Sequence, residues 1–107
     1  MHEIYFDFES RSAANLTICG AWRYATDPTT QILCLNYAVD DGAIETWLPL
    51  WATEELGLPE QPIPTPFLAL AAEPPAWKTI AHYAEFERAM HEHQLVARHG
   101  FPPIPLE

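Results

Sequence analysis

The chain has 107 residues, which is enough for one small domain and too few for two. Because 49% of its residues are apolar, a disordered chain is excluded. Fifteen acidic and five basic residues give a formal charge of −10, so the surface repels phosphate. This excludes a nucleic-acid-binding module that works through a basic patch. A metal-dependent nuclease remains possible, because cations neutralise its carboxylates.

The cysteine content and the hydropathy of the chain indicate its compartment. Cys19 and Cys34 are the only two cysteines, and they form no Cys-x-x-Cys pair. The start of the chain lacks the pattern of a secretory signal, and no apolar run is long enough to span a membrane. The sequence therefore predicts a cytoplasmic protein with two reduced thiols and no membrane partner.

The first part of the chain contains the patterns of three strands. Residues 4–9 alternate between apolar and polar side chains, which predicts a strand, whereas residues 10–30 are predicted to be irregular. Residues 31–39 are rich in strand-forming residues and predict a buried strand. Asp40-Asp41-Gly42 predicts a hairpin turn in which Gly42 supplies a positive φ, followed by an antiparallel strand over residues 43–48.

The middle of the chain predicts one helix and one strand. Residues 51–60 leave open whether one helical turn forms at residues 53–56. Thr65 is predicted to cap a helix that begins at Pro66 and ends before Pro74. Residues 77–82 then predict a short strand.

A long helix is predicted over residues 84–99 and is closed by Gly100. Its apolar stripe is formed by residues at helical spacing, namely Phe86, Ala89, Met90, His93 and Val96 or Ala97. The predicted order is β-β-β-α-β-α, which indicates an α/β fold.

Asp7 and Glu9 are the candidate site in the first predicted strand. Residues at i and i+2 on a strand point to the same face, so the two carboxylates lie one strand repeat apart. Like charges at that distance are unfavourable unless a cation lies between them. Oxygen ligands favour Mg²⁺ or Mn²⁺. Asp-x-Glu is a common tripeptide, however, and by itself is more often the solvated face of a strand.

Four sequence blocks together resemble the opening of phage-type family A DNA polymerases. They read DFESRS at residues 7–12, GAWRYA at 20–25, DPTTQILC at 27–34 and IAHYAEFE at 80–87. In that family this region is the proofreading 3′–5′ exonuclease domain, which has a ribonuclease H-like fold. The resemblance covers nearly the whole chain.

The resemblance implies roles for four residues. Asp7 and Glu9 would bind Mg²⁺ or Mn²⁺, Glu87 would complete the acidic cluster, and Ser10 would lie near the terminal nucleotide. The implied reaction is two-metal hydrolysis at the 3′ end of single-stranded DNA. Without the resemblance, Glu87 would be read as a first-turn acid that complements the helix dipole.

Two departures from the family pattern keep a second interpretation open. Relatives usually have asparagine where Tyr83 stands, next to His82, and the third exonuclease motif would lie beyond Glu107. We therefore expect residues 1–107 to form a single, incomplete domain, truncated before the last strand and helix and inactive as it stands. Its partners would be the remaining polymerase domains or a second copy in a homodimer. The alternative is a non-catalytic remnant that acts as an interaction module.

A zinc site at the histidines of the last helix is a weaker hypothesis. The segment His91-Glu92-His93-Gln94-Leu95 is not a His-Glu-x-x-His motif, because Leu95 stands where the second histidine should be. His91 and His93 also point to opposite sides of a helix. A solvated helix face is the simpler interpretation.

Overall fold

The structure, a computed structural model, describes residues 1–81 and 84–104. Among these residues, four strands form one mixed sheet in the order β3-β2-β1-β4. The strands are β1 (His2–Arg11), β2 (Gln31–Val39), β3 (Glu45–Trp47) and β4 (Trp77–Ala81). β1 is antiparallel to β2 and parallel to β4, and β3 is antiparallel to β2. The predicted α/β class is therefore confirmed, and β1 is a central strand.

The helices lie between β1 and β2, between β3 and β4, and after β4. Their bounds are α1 (Leu16–Thr26), α2 (Leu50–Leu56), α3 (Thr65–Ala72), α4 (Ala84–Met90), a π-helical segment (His91–Val96) and α5 (Ala97–His99). A 3₁₀ turn at Pro74–Ala76 leads from α3 into β4. The predictions for His82 and Tyr83 lie outside the described residues.

The core lies on one face of the sheet, which we call the covered face. Ile4, Phe6 and Phe8 of β1 are buried there, whereas the residues that alternate with them are exposed. Phe8 is opposite Leu35 on β2, so the buried side chains of the two strands meet. An irregularity in the pairing after Glu9 shifts the register by one residue. The shift keeps the next buried residue of β2, Ile32, on the covered face.

Residues 10–30 were predicted to be irregular, but most of them form the end of β1 and helix α1. The Asn15 side chain caps this helix by accepting hydrogen bonds from the backbone N–H groups of Thr17 and Ile18, at 3.0 and 3.4 Å. Gly20 interrupts the helix with a φ of 82°. Ala21, Tyr24 and Ala25 are buried under α4, and this packing stabilises a segment of low helix propensity.

The turn between β2 and β3 differs from its prediction. Asp40, and not Gly42, adopts the positive φ, at 51°. Its side chain accepts a hydrogen bond from the backbone N–H of Glu3 at 2.8 Å, and this contact with β1 fixes the unusual backbone. β3 is confined to Glu45–Trp47, which is shorter than predicted.

The two helices in the middle of the chain, α2 and α3, also differ from their predictions. The sequence left open whether a helical turn forms at residues 53–56, and the structure has a longer helix there, α2. Gly57 caps its end with a φ of 70°. α3 begins at Thr65, one residue earlier than predicted, and Pro64 occupies the capping position. Thr65 is therefore the first helical residue and not the cap, so the prediction of a threonine cap was wrong.

The long helix at residues 84–99 is present, but its buried stripe is rotated. His91, Gln94 and Leu95 are buried, whereas Ala97 is exposed. The buried positions Glu87, Met90, His91, Gln94 and Leu95 nevertheless follow ordinary helical spacing. The predicted stripe is confirmed in part. Ala89 and Met90 are buried and Phe86, His93 and Val96 are partly buried, whereas Ala97, the alternative to Val96, is exposed. Gly100 closes the helix with a φ of 74°, as predicted.

None of the helices in the described part of the chain combines the length and the apolar character that crossing a membrane requires.

Candidate functional site

Asp7 and Glu9 lie on the sheet face opposite the core, which we call the open face. Both carboxylates are exposed, and the register places Asn36 opposite Asp7 and Cys34 opposite Glu9 on β2. The site is therefore built from two adjacent strands at the centre of the sheet. The i, i+2 spacing predicted from the sequence puts both acids on one face, as expected.

A groove of about 530 Å³ runs over the open face beside Asp7. Asp7 and Asn36 supply its polar wall, and exposed apolar side chains from β1 and the turn before β3, Tyr5 and Ile44, supply the rest. The Asn36 Oδ1 atom accepts a hydrogen bond from the Thr46 hydroxyl at 2.7 Å, which fixes the orientation of the amide. The groove is open to solvent and is wide enough for a small extended ligand.

The negative charges of Asp7 and Glu9 affect the pKa of the neighbouring Cys34 thiol. Burial raises the pKa of the Cys34 thiol, and the negative charges of Glu9 and Asp7 raise this pKa further. The thiol is therefore protonated at neutral pH and is not a nucleophile. The same negative field attracts a cation to the open face.

Ser10 and Glu87 lie apart from this carboxylate pair. The Ser10 side chain points to the covered face, where its hydroxyl is 2.9 Å from the hydroxyl of the buried Tyr24. Glu87 is only 4% exposed and belongs to α4, the helix whose Ala89 packs in the core. The structure thus brings Asp7 and Glu9 together but places Ser10 and Glu87 on the other side of the sheet.

The donor set on the open face fits a divalent cation only in part. Asp7 and Glu9 offer oxygen ligands, which suit Mg²⁺ or Mn²⁺. Across residues 1–81 and 84–104, however, no three histidine, cysteine, aspartate or glutamate side chains form a group that could hold a metal ion. Asp7 and Glu9 therefore supply two carboxylates, and no third such side chain among the described residues completes a metal-binding group with them.

The three histidines of the last helix have different surroundings. His91 is 2% exposed inside the protein, the His93 ring packs 4.5 Å from the ring of Trp22, and the His99 ring lies 5.5 Å from the ring of Trp47. They do not converge on one point. The structure agrees with the sequence argument against a shared zinc ion, although the burial of His91 contradicts the solvated face that was predicted.

Three residues of interest were missed by sequence reasoning. Asn36 and Cys34 meet Asp7 and Glu9 only through the register of β1 with β2, and the two strands are separated by α1. No local signal gives that register. His91 lies at helical spacing from the buried Glu87, Gln94 and Leu95, but the sequence favoured a stripe through Phe86 because Phe86 is apolar and Glu87 is charged.

Comparison with known proteins returned no match: no family model, no curated protein and no solved structure matches this chain.

Proposed function

We propose that the chain is the metal-binding core of a 3′–5′ exonuclease domain with a ribonuclease H-like fold, related to the proofreading domain of phage-type family A DNA polymerases. One observation carries the proposal. Asp7 and Glu9 are both exposed on the open face of a central strand that has an antiparallel neighbour on one side and a parallel neighbour on the other. The four sequence blocks that resemble the family begin at this carboxylate pair.

Asp7 and Glu9 would hold Mg²⁺ or Mn²⁺ and present it to the 3′ end of a single DNA strand. When bound, the cation neutralises phosphate charge and activates water for hydrolysis. The two carboxylates concentrate the cation on a surface that otherwise repels nucleic acid, because the chain carries a net charge of −10. The groove beside Asp7 would accept the terminal nucleotide.

Glu87 follows β4, the strand that neighbours β1 on the side away from β2. β4 runs parallel to β1, and its last residue, Ala81, pairs with Phe6. The chain therefore leaves the sheet at the level of Asp7, and Glu87 follows in the first turn of α4. Because Glu87 and Ser10 lie on the covered side, the proposed metal site consists of Asp7 and Glu9, and Ser10 positions the end of β1 through its contact with Tyr24.

A second candidate function is a non-catalytic interaction module. The observation that favours it is the placement of Ser10 and Glu87 on the covered side, away from the Asp7–Glu9 pair. In this alternative, the two exposed acids are simply the solvated face of a strand. Metal binding separates the two functions.

The first prediction tests the exonuclease proposal by calorimetric titration of Mn²⁺. Wild type should bind Mn²⁺ weakly, and Asp7→Ala should lower the affinity about tenfold or more, since loss of one ligand contact worth ~1.4 kcal/mol has that effect. Asp41→Ala is the matched control, because Asp41 is an exposed acid in the turn after β2. It should bind Mn²⁺ as wild type does.

The same titrations should be repeated with deoxythymidine monophosphate, a product of 3′–5′ hydrolysis. We expect the nucleotide to bind wild type only when Mn²⁺ is present and not to bind Asp7→Ala under either condition. Equal Mn²⁺ heats from wild type and Asp7→Ala would refute the metal site and leave the interaction module as the better interpretation.

A further inference from the structure

A second pocket lies beside the long helix, and it shares no lining residue with the groove on the open face. Its volume is about 490 Å³, within the range of small-molecule sites. The walls come from α4, the π-helical segment and the chain that follows Gly100. The lining residues are Arg88, His91, Glu92, Val96, Pro103 and Ile104. We call this the His91 pocket.

The imidazole of His91, a lining residue of this pocket, lacks a hydrogen-bond partner within residues 1–81 and 84–104. His91 is 2% exposed, and neither ring nitrogen has a hydrogen-bond partner among the described residues. Buried polar side chains are almost always hydrogen-bonded, because burying one without a partner costs about 1–3 kcal/mol. A partner from outside the chain is therefore inferred, and because both ring nitrogens are shielded from solvent, it reaches the ring when the side chains at the pocket wall move apart.

The chemistry of the pocket indicates what that partner is. Burial lowers the pKa of His91 to about 4, so at neutral pH the ring is uncharged and offers one N–H donor. Arg88 lies one helical turn before His91, is exposed, and has no ion pair within the described part of the chain. Glu92, also exposed, adds one negative charge at the rim. Val96 and Ile104 provide partly buried apolar walls.

We propose that the His91 pocket binds a small organic monocarboxylate. The carboxylate pairs with the Arg88 guanidinium and accepts a hydrogen bond from the His91 ring, while the apolar body of the ligand packs against Val96 and Ile104. Glu92 disfavours ligands with a second negative charge. His91 is the first residue of the π-helical segment, and such segments occur frequently at functional sites. The proposal does not depend on the metal site at Asp7 and Glu9.

The second prediction is that benzoate, a small aromatic monocarboxylate, binds in the His91 pocket. It is tested by titrating sodium benzoate into wild type at pH 7 and following the histidine ring nitrogens and the methyl groups by NMR. Saturable shifts are expected at His91, Val96 and Ile104, with a Kd on the order of 1 mM, as is ordinary for so small a ligand. Arg88→Gln should weaken binding about tenfold, the effect of losing one charge-assisted contact. Arg23→Gln removes an exposed arginine that does not line the pocket, and it should leave the Kd unchanged.

Two further probes define the ligand class. Benzamide keeps the ring of benzoate but lacks the charge, so it should bind wild type about tenfold more weakly, with no further loss in Arg88→Gln. Inorganic phosphate should produce no saturable shift at His91. The proposal is overturned if benzoate gives no saturable shift at His91, if benzamide binds as tightly as benzoate, or if phosphate binds equally well.

Discussion

The imidazole of His91 lies inside the protein, where charging it requires more free energy than charging it in water. Burial alone accounts for the lowering of its pKa to about 4. The unfolded chain exposes the same ring, which then takes its ordinary pKa of about 6.5. His91 therefore links the stability of the fold to pH.

The third prediction concerns this linkage. As pH falls from about 6.5 to about 4, the unfolded state binds a proton that the folded state does not, so stability is lost across that window. The shift corresponds to a loss of about 3 kcal/mol from His91 when the window is complete. Urea denaturation at pH 7 and at about pH 4.5 should show a smaller loss in His91→Leu than in wild type.

The control for this experiment is Ile18→Leu, which changes a residue that is 82% exposed and adds or removes no titratable group. Its stability should fall with pH as steeply as that of wild type. If His91→Leu and wild type lose the same free energy of unfolding, His91 is not buried in the neutral form.

Helix α1 is stabilised by a capping residue at its start and by contacts with the long helix at its other end. Its sequence contains threonine, isoleucine, cysteine and tryptophan, which are weak helix formers, and a glycine in the middle. Asn15 satisfies two backbone N–H groups at the start, and contacts with the long helix hold the second half. Gln94 donates a hydrogen bond to the carbonyl of Ala25 at 2.7 Å, and Arg98 donates one to the carbonyl of Thr30 at 2.6 Å.

The fourth prediction is that Asn15→Ala lowers the free energy of unfolding by about 1 kcal/mol, because it leaves two backbone donors without their cap. Asn15→Asp is the matched control, since aspartate caps equally well and should stay within a few tenths of a kcal/mol of wild type. Chemical denaturation of the three proteins at pH 7 provides the measurement. Equal stabilities of Asn15→Ala and wild type would show that packing alone holds the helix.

At the scale of the whole molecule, the sheet is covered on one face and carries acids and apolar side chains on the other. Tyr5 and Ile44 on the open face are 42% and 76% exposed. β4 is an edge strand of the sheet, and exposed edges and apolar patches favour pairing with another chain. The homodimer expected from the sequence stays a prediction, opposed by the repulsion between two chains of charge −10.

The fifth prediction is that salt promotes this dimer, because it screens the repulsion between the acidic surfaces. Light scattering should give a mass closer to that of two chains at about 500 mM salt than at about 20 mM, where screening is weaker. Ile44→Glu should reduce the dimer fraction. Leu56→Glu adds the same charge at a residue on α2 that is 64% exposed, and it should have less effect. A monomer at both salt concentrations would contradict the prediction.

The sequence by itself determined the features that depend on local periodicity. The alternation over residues 4–9 predicted the central strand, its buried Ile4, Phe6 and Phe8, and the shared face of Asp7 and Glu9. Residues 84–99 and Gly100 predicted the extent of the long helix. These predictions succeed because the side-chain period of a strand or helix is fixed by its backbone. The ribonuclease H-like fold and the roles of Asp7, Glu9, Glu87 and Ser10 rest on resemblance and remain proposals.

Only the tertiary structure decided the features that depend on contacts between distant segments. Helix α1 exists because the long helix packs on it, and Asp40 takes the positive φ because its side chain binds the backbone of Glu3. His91 is buried by the packing of the long helix against the rest of the fold, and the register of two separated strands sets Asn36 beside Asp7. Such contacts join residues far apart in the chain, so no local pattern in the sequence encodes them.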